Sequence, residues 1–184
     1  MNQPAYLIEK KTILMTGEYD RFGKLCARIV AGGASFLVDR TPLQLLDASL
    51  TYIGFNLKGA TIGAKAILGK KNKCPIIANP YQNICLFPTK SPLKEDCIWF
   101  NIEHIVQTKA VGGKTEVELS NGHSIIVNAK LSALNNKIQT AGQLKRISLE
   151  RGQYTGHYKP QKGHQLVIEK TGKYNFGEIK EDQI

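Results

Sequence analysis

Thr115-Glu116-Val117-Glu118-Leu119-Ser120-Asn121-Gly122-His123-Ser124-Ile125-Ile126-Val127, with the segment from Ser132 to about Glu150 that follows it, decides the fold class. The first part is two β-prone runs about an Asn-Gly pair. That pair supplies the positive φ angles of a tight turn, so the run predicts a β-hairpin. In the second part Leu134, Ile138, Ala141 and Leu144 recur at three- and four-residue steps, which gives a helix one apolar face. Gly142 weakens this helix by about 1 kcal/mol relative to alanine, and Gly152 is its expected stop. Lys137, Lys145, Arg146 and Arg151 decorate its other faces.

Towards the N-terminus, short strand-like pieces dominate. Tyr6 to Ile8, Thr12 to Met15, and Lys24 to Val30 with Ser35 to Val38 across a Gly32-Gly33 turn all read as strands. Thr41 to Asp47 reads as a short helix, with Thr41 as N-cap and Pro42 at its first position. Gly54, Gly59, Gly63 and Gly69 then punctuate a stretch expected to approach another backbone or a ligand closely. Pro75 to Ala78, Ile84 to Phe87, Cys97 to Phe100 and Ile102 to Thr108 carry further strand character, with a turn at Asn79-Pro80. The expected fold is α+β: a strand-dominated antiparallel sheet core with a C-terminal helix packed on it. Residues 1–152 are expected to form one domain, and 153–184 a polar tail with a short candidate strand at Gln165 to Ile168.

Several function classes are disfavoured. The chain has 184 residues, 42% of them hydrophobic, enough for a core, yet no apolar stretch approaches the roughly 20 residues of a membrane span. The opening MNQPAYLIEKK lacks a basic region followed by an apolar block, so the expectation is a cytoplasmic protein. Cys26, Cys74, Cys85 and Cys97 are widely spaced, and free buried thiols are the simplest reading. No CxxC or HxxxH pair occurs, and a site joining His104 and His123 to Cys85 and Cys97 has no spacing to recommend it; no metal or cofactor is expected. Walker-type, nucleophile-elbow and kinase motifs are missing, so no enzyme is expected.

The charge pattern is more telling. The formal net charge is +10 and the pI about 9.5. Between Asp47 and Glu95 no acidic residue occurs, while Lys58, Lys65, Lys70, Lys71, Lys73, Lys90 and Lys94 do. A solvated lysine-rich loop is one reading. An electrostatic footprint for phosphates is the other, favoured because glycines and aromatics interleave with the lysines.

The segment Ile84-Cys85-Leu86-Phe87-Pro88-Thr89-Lys90-Ser91-Pro92, followed by Cys97-Ile98-Trp99 and His104-Ile105, resembles the ComK family of competence transcription factors. Pro42-Leu43-Gln44-Leu45-Leu46-Asp47-Ala48-Ser49, Tyr52-Ile53-Gly54, Pro75-Ile76 and Glu118-Leu119-Ser120-Asn121-Gly122 are similar to family segments in the same order. The resemblance covers about Tyr6 to Arg151. It implies a DNA-binding activator of competence genes that takes paired A- and T-tract boxes, largely through the minor groove, as dimers assembling in pairs. A-tracts have a narrow minor groove of enhanced negative potential, which attracts lysine and arginine. It also implies control by an adaptor of the ClpC protease, although the family's aromatic-Met-Leu-Tyr-Pro type motif is missing from the tail.

One departure bears on function. Where the family shows a basic GRKxGT cluster, this chain reads Gly59-Ala60-Thr61-Ile62-Gly63-Ala64. The expected phosphate contacts are therefore Lys58, Lys65, Lys70, Lys71 and Lys73, with Arg40, Lys145 and Arg146 behind them. Trp99, Phe87 and Ile98 are expected in the core or a dimer interface. The alternative is a protein-interaction regulator that keeps the fold and has lost autonomous DNA binding.

Overall fold

The computed structural model describes residues 6–69, 72–153 and 165–175. Nine strands and three α-helices follow one another among these residues. Strands β1 (Thr12–Tyr19), β2 (Leu25–Ala31) and β3 (Ala34–Val38) form a meander. Helices α1 (Pro42–Tyr52) and α2 (Leu57–Leu68) follow, then β4 (Ile76–Asn79), β5 (Ile84–Pro88) and β6 (Trp99–Asn101). A 3₁₀ turn at Ile102–His104 leads to β7 (Ile105–Val111), β8 (Lys114–Leu119), β9 (Ser124–Val127) and α3 (Leu131–Gln153). The larger sheet has six strands in the order β3-β2-β1-β6-β5-β4, the smaller three in the order β7-β8-β9, and all pairs are antiparallel. This is the strand-rich α+β architecture expected from the sequence, with α3 packed against β5 and β4.

Side-chain alternation along the central strands explains why the large sheet is buried on both faces. In β5, Ile84 and Leu86 join Trp99, Met15 and the α1 residues Leu45, Leu46 and Leu50. Cys85 and Phe87 point the other way, joining Phe100, Val117 and Leu119 of the small sheet and Leu134, Ala141 and Leu144 of α3. Phe87 and Phe100 stack at 5.8 Å between ring centroids. Trp99 and Phe87 are thus core residues, and Ile98 is half-buried against the same core.

Local chemistry fixes the helices. Thr41 and Gln44 form a reciprocal capping box at α1: the Thr41 hydroxyl accepts from Gln44 N at 3.3 Å, and Gln44 Oε1 accepts from Thr41 N at 2.9 Å. The glycine-punctuated stretch is not an open loop. Gly59 and Gly63 lie inside α2, and only Gly54 and Gly69, at φ 87° and 80°, bracket helical segments. Asn56 makes the difference, because its side chain caps α2 by accepting from Gly59 N at 2.7 Å.

Other expectations shift in detail. Tyr6 to Ile8 is not a strand; Ile8 N donates to the Ser49 hydroxyl of α1 at 3.0 Å, so a side chain satisfies it instead of a ladder. The β8–β9 connection is a four-residue loop in which Gly122 alone takes a positive φ, 83°. Asn121 Oδ1 accepts from His123 N, and its Nδ2 donates to Gly32 O. No disulfide links the four cysteines, and all are buried. Among the described residues no helix is long and apolar enough to cross a membrane.

The chain divides into two units, Met1–Gln153 and Tyr154–Ile184. In the second, the expected strand reduces to a single antiparallel bridge between Ile168 and Tyr174, supported by Glu169 N donating to Lys173 O at 2.7 Å.

Candidate nucleic-acid interface

Helix α2 is the first part of the candidate site. Its buried side is Ala64, with Leu57, Ala60, Ile67 and Leu68 half-buried beside it. Lys58 and Lys65 are exposed, about 100–120° round the helix from Ala64. Seven residues bring two lysines back to within about 20° of one another and set them about 10.5 Å apart along the axis. Neither forms an ion pair among the described residues.

The α2–β4 connection supplies the second part. Lys70 and Lys71 lie outside the described residues. Lys73 is exposed at φ 59°, one of two non-glycine residues with positive φ among those described. This turns the chain into β4 and sets Lys73 at the rim of a cleft of about 120 Å³. Asn72, Lys73, Cys74 and Pro75 line one side of it, Phe87 its floor, and Asn136, Lys137 and Thr140 of α3 the other. Among the described residues no carboxylate lines the cleft. Burial, and secondarily the charge of Lys73, holds the Lys137 ammonium below its ordinary range.

The remaining expected residues are placed elsewhere. Lys145 is mostly buried and committed to Glu103. Arg146 pairs with Glu150 one turn on, at 3.3 Å in an exposed position. Arg40 lines a broad cleft of about 930 Å³ together with Lys24, Asp39, Gln44 and Asp47, where cations and carboxylates alternate. Of the other lysines in the acid-free run, Lys90 is taken by Asp96 at 2.5 Å. The structure thus sets Lys73 beside Lys137, a residue the sequence marks only as one more charge on a helix.

Other chemistry is sparse. Burial pushes the Cys85 thiol up to about 12, and its Sγ donates to Ala141 O at 3.6 Å. His104 bridges Ser120 Oγ and Lys10 O, at 2.5 and 2.6 Å. Among the described residues no group of three or more His, Cys, Asp or Glu is placed to hold a metal ion. An apolar groove of about 280 Å³ runs between α2, the β4–β5 turn and the second half of α3, lined by Phe55, Ala60, Gly63, Ile67, Ile77 and Leu144 among others.

The family model described as ComK protein matches residues 3–153. The chain is 30% identical over 142 residues to the competence transcription factor of Bacillus subtilis (strain 168), an alignment covering 77% of this chain and 73% of that protein. No solved structure matches it.

Proposed function

The chain belongs to the ComK family, and from that premise we propose that it is a regulator of competence-gene transcription that binds A/T-rich duplex DNA largely through the minor groove. The observation that carries the reading is the set of lysines without carboxylate partners among the described residues, on α2 and around the cleft after it: Lys58, Lys65, Lys73 and Lys137. Two cations in line on one helix face and two more across a cleft suit a backbone of closely spaced phosphates, since each phosphate neutralised releases condensed counterions. Lys70 and Lys71 are further phosphate contacts in this reading. The net charge of +10 supplies long-range attraction in addition.

Residues 1–152 form the DNA-binding regulatory domain, acting as a dimer or a pair of dimers, and 153–184 are an appendage. The work is regulatory rather than catalytic and is done in the cytoplasm; control by an adaptor–protease complex is part of the same proposal.

The deciding experiment measures affinity for a duplex of phased A- and T-tracts, against a G·C-substituted control, across a salt series. Tighter binding to the A/T duplex with a steep salt slope supports the proposal. No binding to either duplex at low salt refutes it.

A second reading has its own support. The family's Arg-Lys pair is replaced here at Ala60 and Thr61, and Ala60 lines the apolar groove. With no long side chain at 60 the groove stays open, beside an exposed aromatic pair, Phe55 and Tyr81, at 6.3 Å. A regulator acting by protein contact would use such a surface. Co-purification with a ComK relative, without any shift of DNA, would favour this reading.

A further inference from the structure

We propose that the cleft between the α2–β4 connection and α3 is an oxyanion seat that takes a single phosphate group of the nucleic-acid backbone. The proposal rests on the nucleic-acid reading above and deepens it: it gives the cleft one defined occupant, a single tetrahedral oxyanion, and adds the neutral donors of the lining to the two lysines.

Lys73 and Lys137 reach the cleft from elements far apart in sequence. The Lys73 charge is felt at Lys137, which also loses hydration by burial. Two like charges brought together in a partly desolvated place oppose folding unless an anion joins them. Yet the other polar lining residues are neutral: Asn72, Asn136 and Thr140. The Thr140 hydroxyl donates to Asn136 O at 2.8 Å, so its proton is engaged within α3. That leaves two ammonium groups and the side-chain amides of Asn72 and Asn136 as donors, a set suited to a tetrahedral oxyanion.

Size and floor agree. A volume of about 120 Å³ suits a small oxyanion rather than the larger ligand of a roughly 300–1,000 Å³ site. The buried Phe87, Cys74 and Pro75 in its lining lower the local dielectric and strengthen a charge-assisted contact.

The test uses the full-length wild type, Lys137→Gln, and Asn136→Asp, which puts a negative charge at an exposed helix position on the rim. Amide resonances of residues 72–73 and 136–137 are followed by NMR during titration with an A/T duplex and, separately, with inorganic phosphate. Duplex affinity is measured across salt in parallel. The expected result is duplex-induced shifts at these amides and a Lys137→Gln salt slope flatter by about 0.9. Asn136→Asp should weaken binding further, while its carboxylate beside Lys73 and Lys137 leaves the thermal transition at or above the wild type's. If the wild type binds the duplex but these amides stay silent and the slope is unchanged, the seat is refuted and the DNA-binding reading stands. If the wild type binds no duplex, that reading fails, and the phosphate titration decides the rest. Shifts lost in Lys137→Gln then leave a seat for free phosphate and overturn its nucleic-acid role, whereas no shifts overturn the seat altogether.

Discussion

Replacing Lys58 and Lys65 together by glutamine is the perturbation whose size follows most directly from the structure. Both side chains sit on the exposed side of α2 and form no ion pair among the described residues. Their separation of about 10.5 Å along the helix axis lets them reach different phosphates, since duplex charges fall every ~3.4 Å of axis on each strand. If each lysine neutralises one phosphate, the slope of log affinity against log salt should flatten by about 1.8, at about 0.9 per phosphate. From about 50 to 200 mM salt the variant would then lose about 12-fold less affinity than the wild type. The assay is fluorescence anisotropy on a labelled A/T duplex at five or more salt concentrations. Lys145→Gln provides the comparison, because it also removes a charge, but one engaged with Glu103. Its slope should match the wild type. Stability should not confuse the result, since exposed substitutions of this kind stay within about 0.5 kcal/mol. An unchanged slope in the double variant would refute the placement of α2 on the phosphates. Equal flattening by Lys145→Gln would show that net charge acts, not position.

Three further outcomes are expected. Lys137→Met should raise stability at neutral pH while weakening DNA binding, because burial and the facing Lys73 hold the Lys137 pKa below 10.5, with Cys97 opposing weakly. Between that lowered value and 10.5 the unfolded chain binds more protons than the folded one, so wild-type stability should gain with pH relative to Lys137→Met; denaturant titrations of both proteins from pH 8 to above 10 should show the difference, and parallel curves would be evidence against it. Gly17→Ala should cost about 1–3 kcal/mol, because a Cβ there would stand 2.3 Å from Glu95 O, the carbonyl that accepts from Gly17 N; an undiminished Tm would contradict the close strand–loop approach. Native Cys85 should resist alkylation at pH 8, since a pKa moved from 9.0 to about 12 leaves roughly a thousandfold less thiolate; mass spectrometry with and without denaturant tests this, and rapid native labelling would show that the core opens at Ala141.

How much of this was legible in the sequence depends on whether the deciding contact is local. The hairpin around Asn121-Gly122 and the α1 cap at Thr41 rest on interactions within a few residues, and both are readable. The four-residue turn itself, Ser120 to His123, is readable too; what is not is the bond from Asn121 to Gly32 O, a partner from the other sheet that no local signal announces. The α2 helix fails to show for an opposite reason. Two glycines cost its interior about 1 kcal/mol each relative to alanine, which hides a cap at Asn56 and an inward face at Ala60 and Ala64 that only tertiary packing rewards. The candidate site is the least legible part. In sequence the basic signal is a run of lysines from 58 to 94, but folding divides it. Lys90 turns to Asp96, and Lys94 goes to the loop facing the start of α1. Lys73 meets Lys137, whose position on α3 is set by the burial of Leu134, Ala141 and Leu144 on the neighbouring face. A count of charges therefore locates no site here. What marks the cleft is that two cations are brought together with no acid between them. Burial and the Lys73 charge disfavour the charged form of Lys137 there, and the apolar positions of α3 create that arrangement as much as the lysines do.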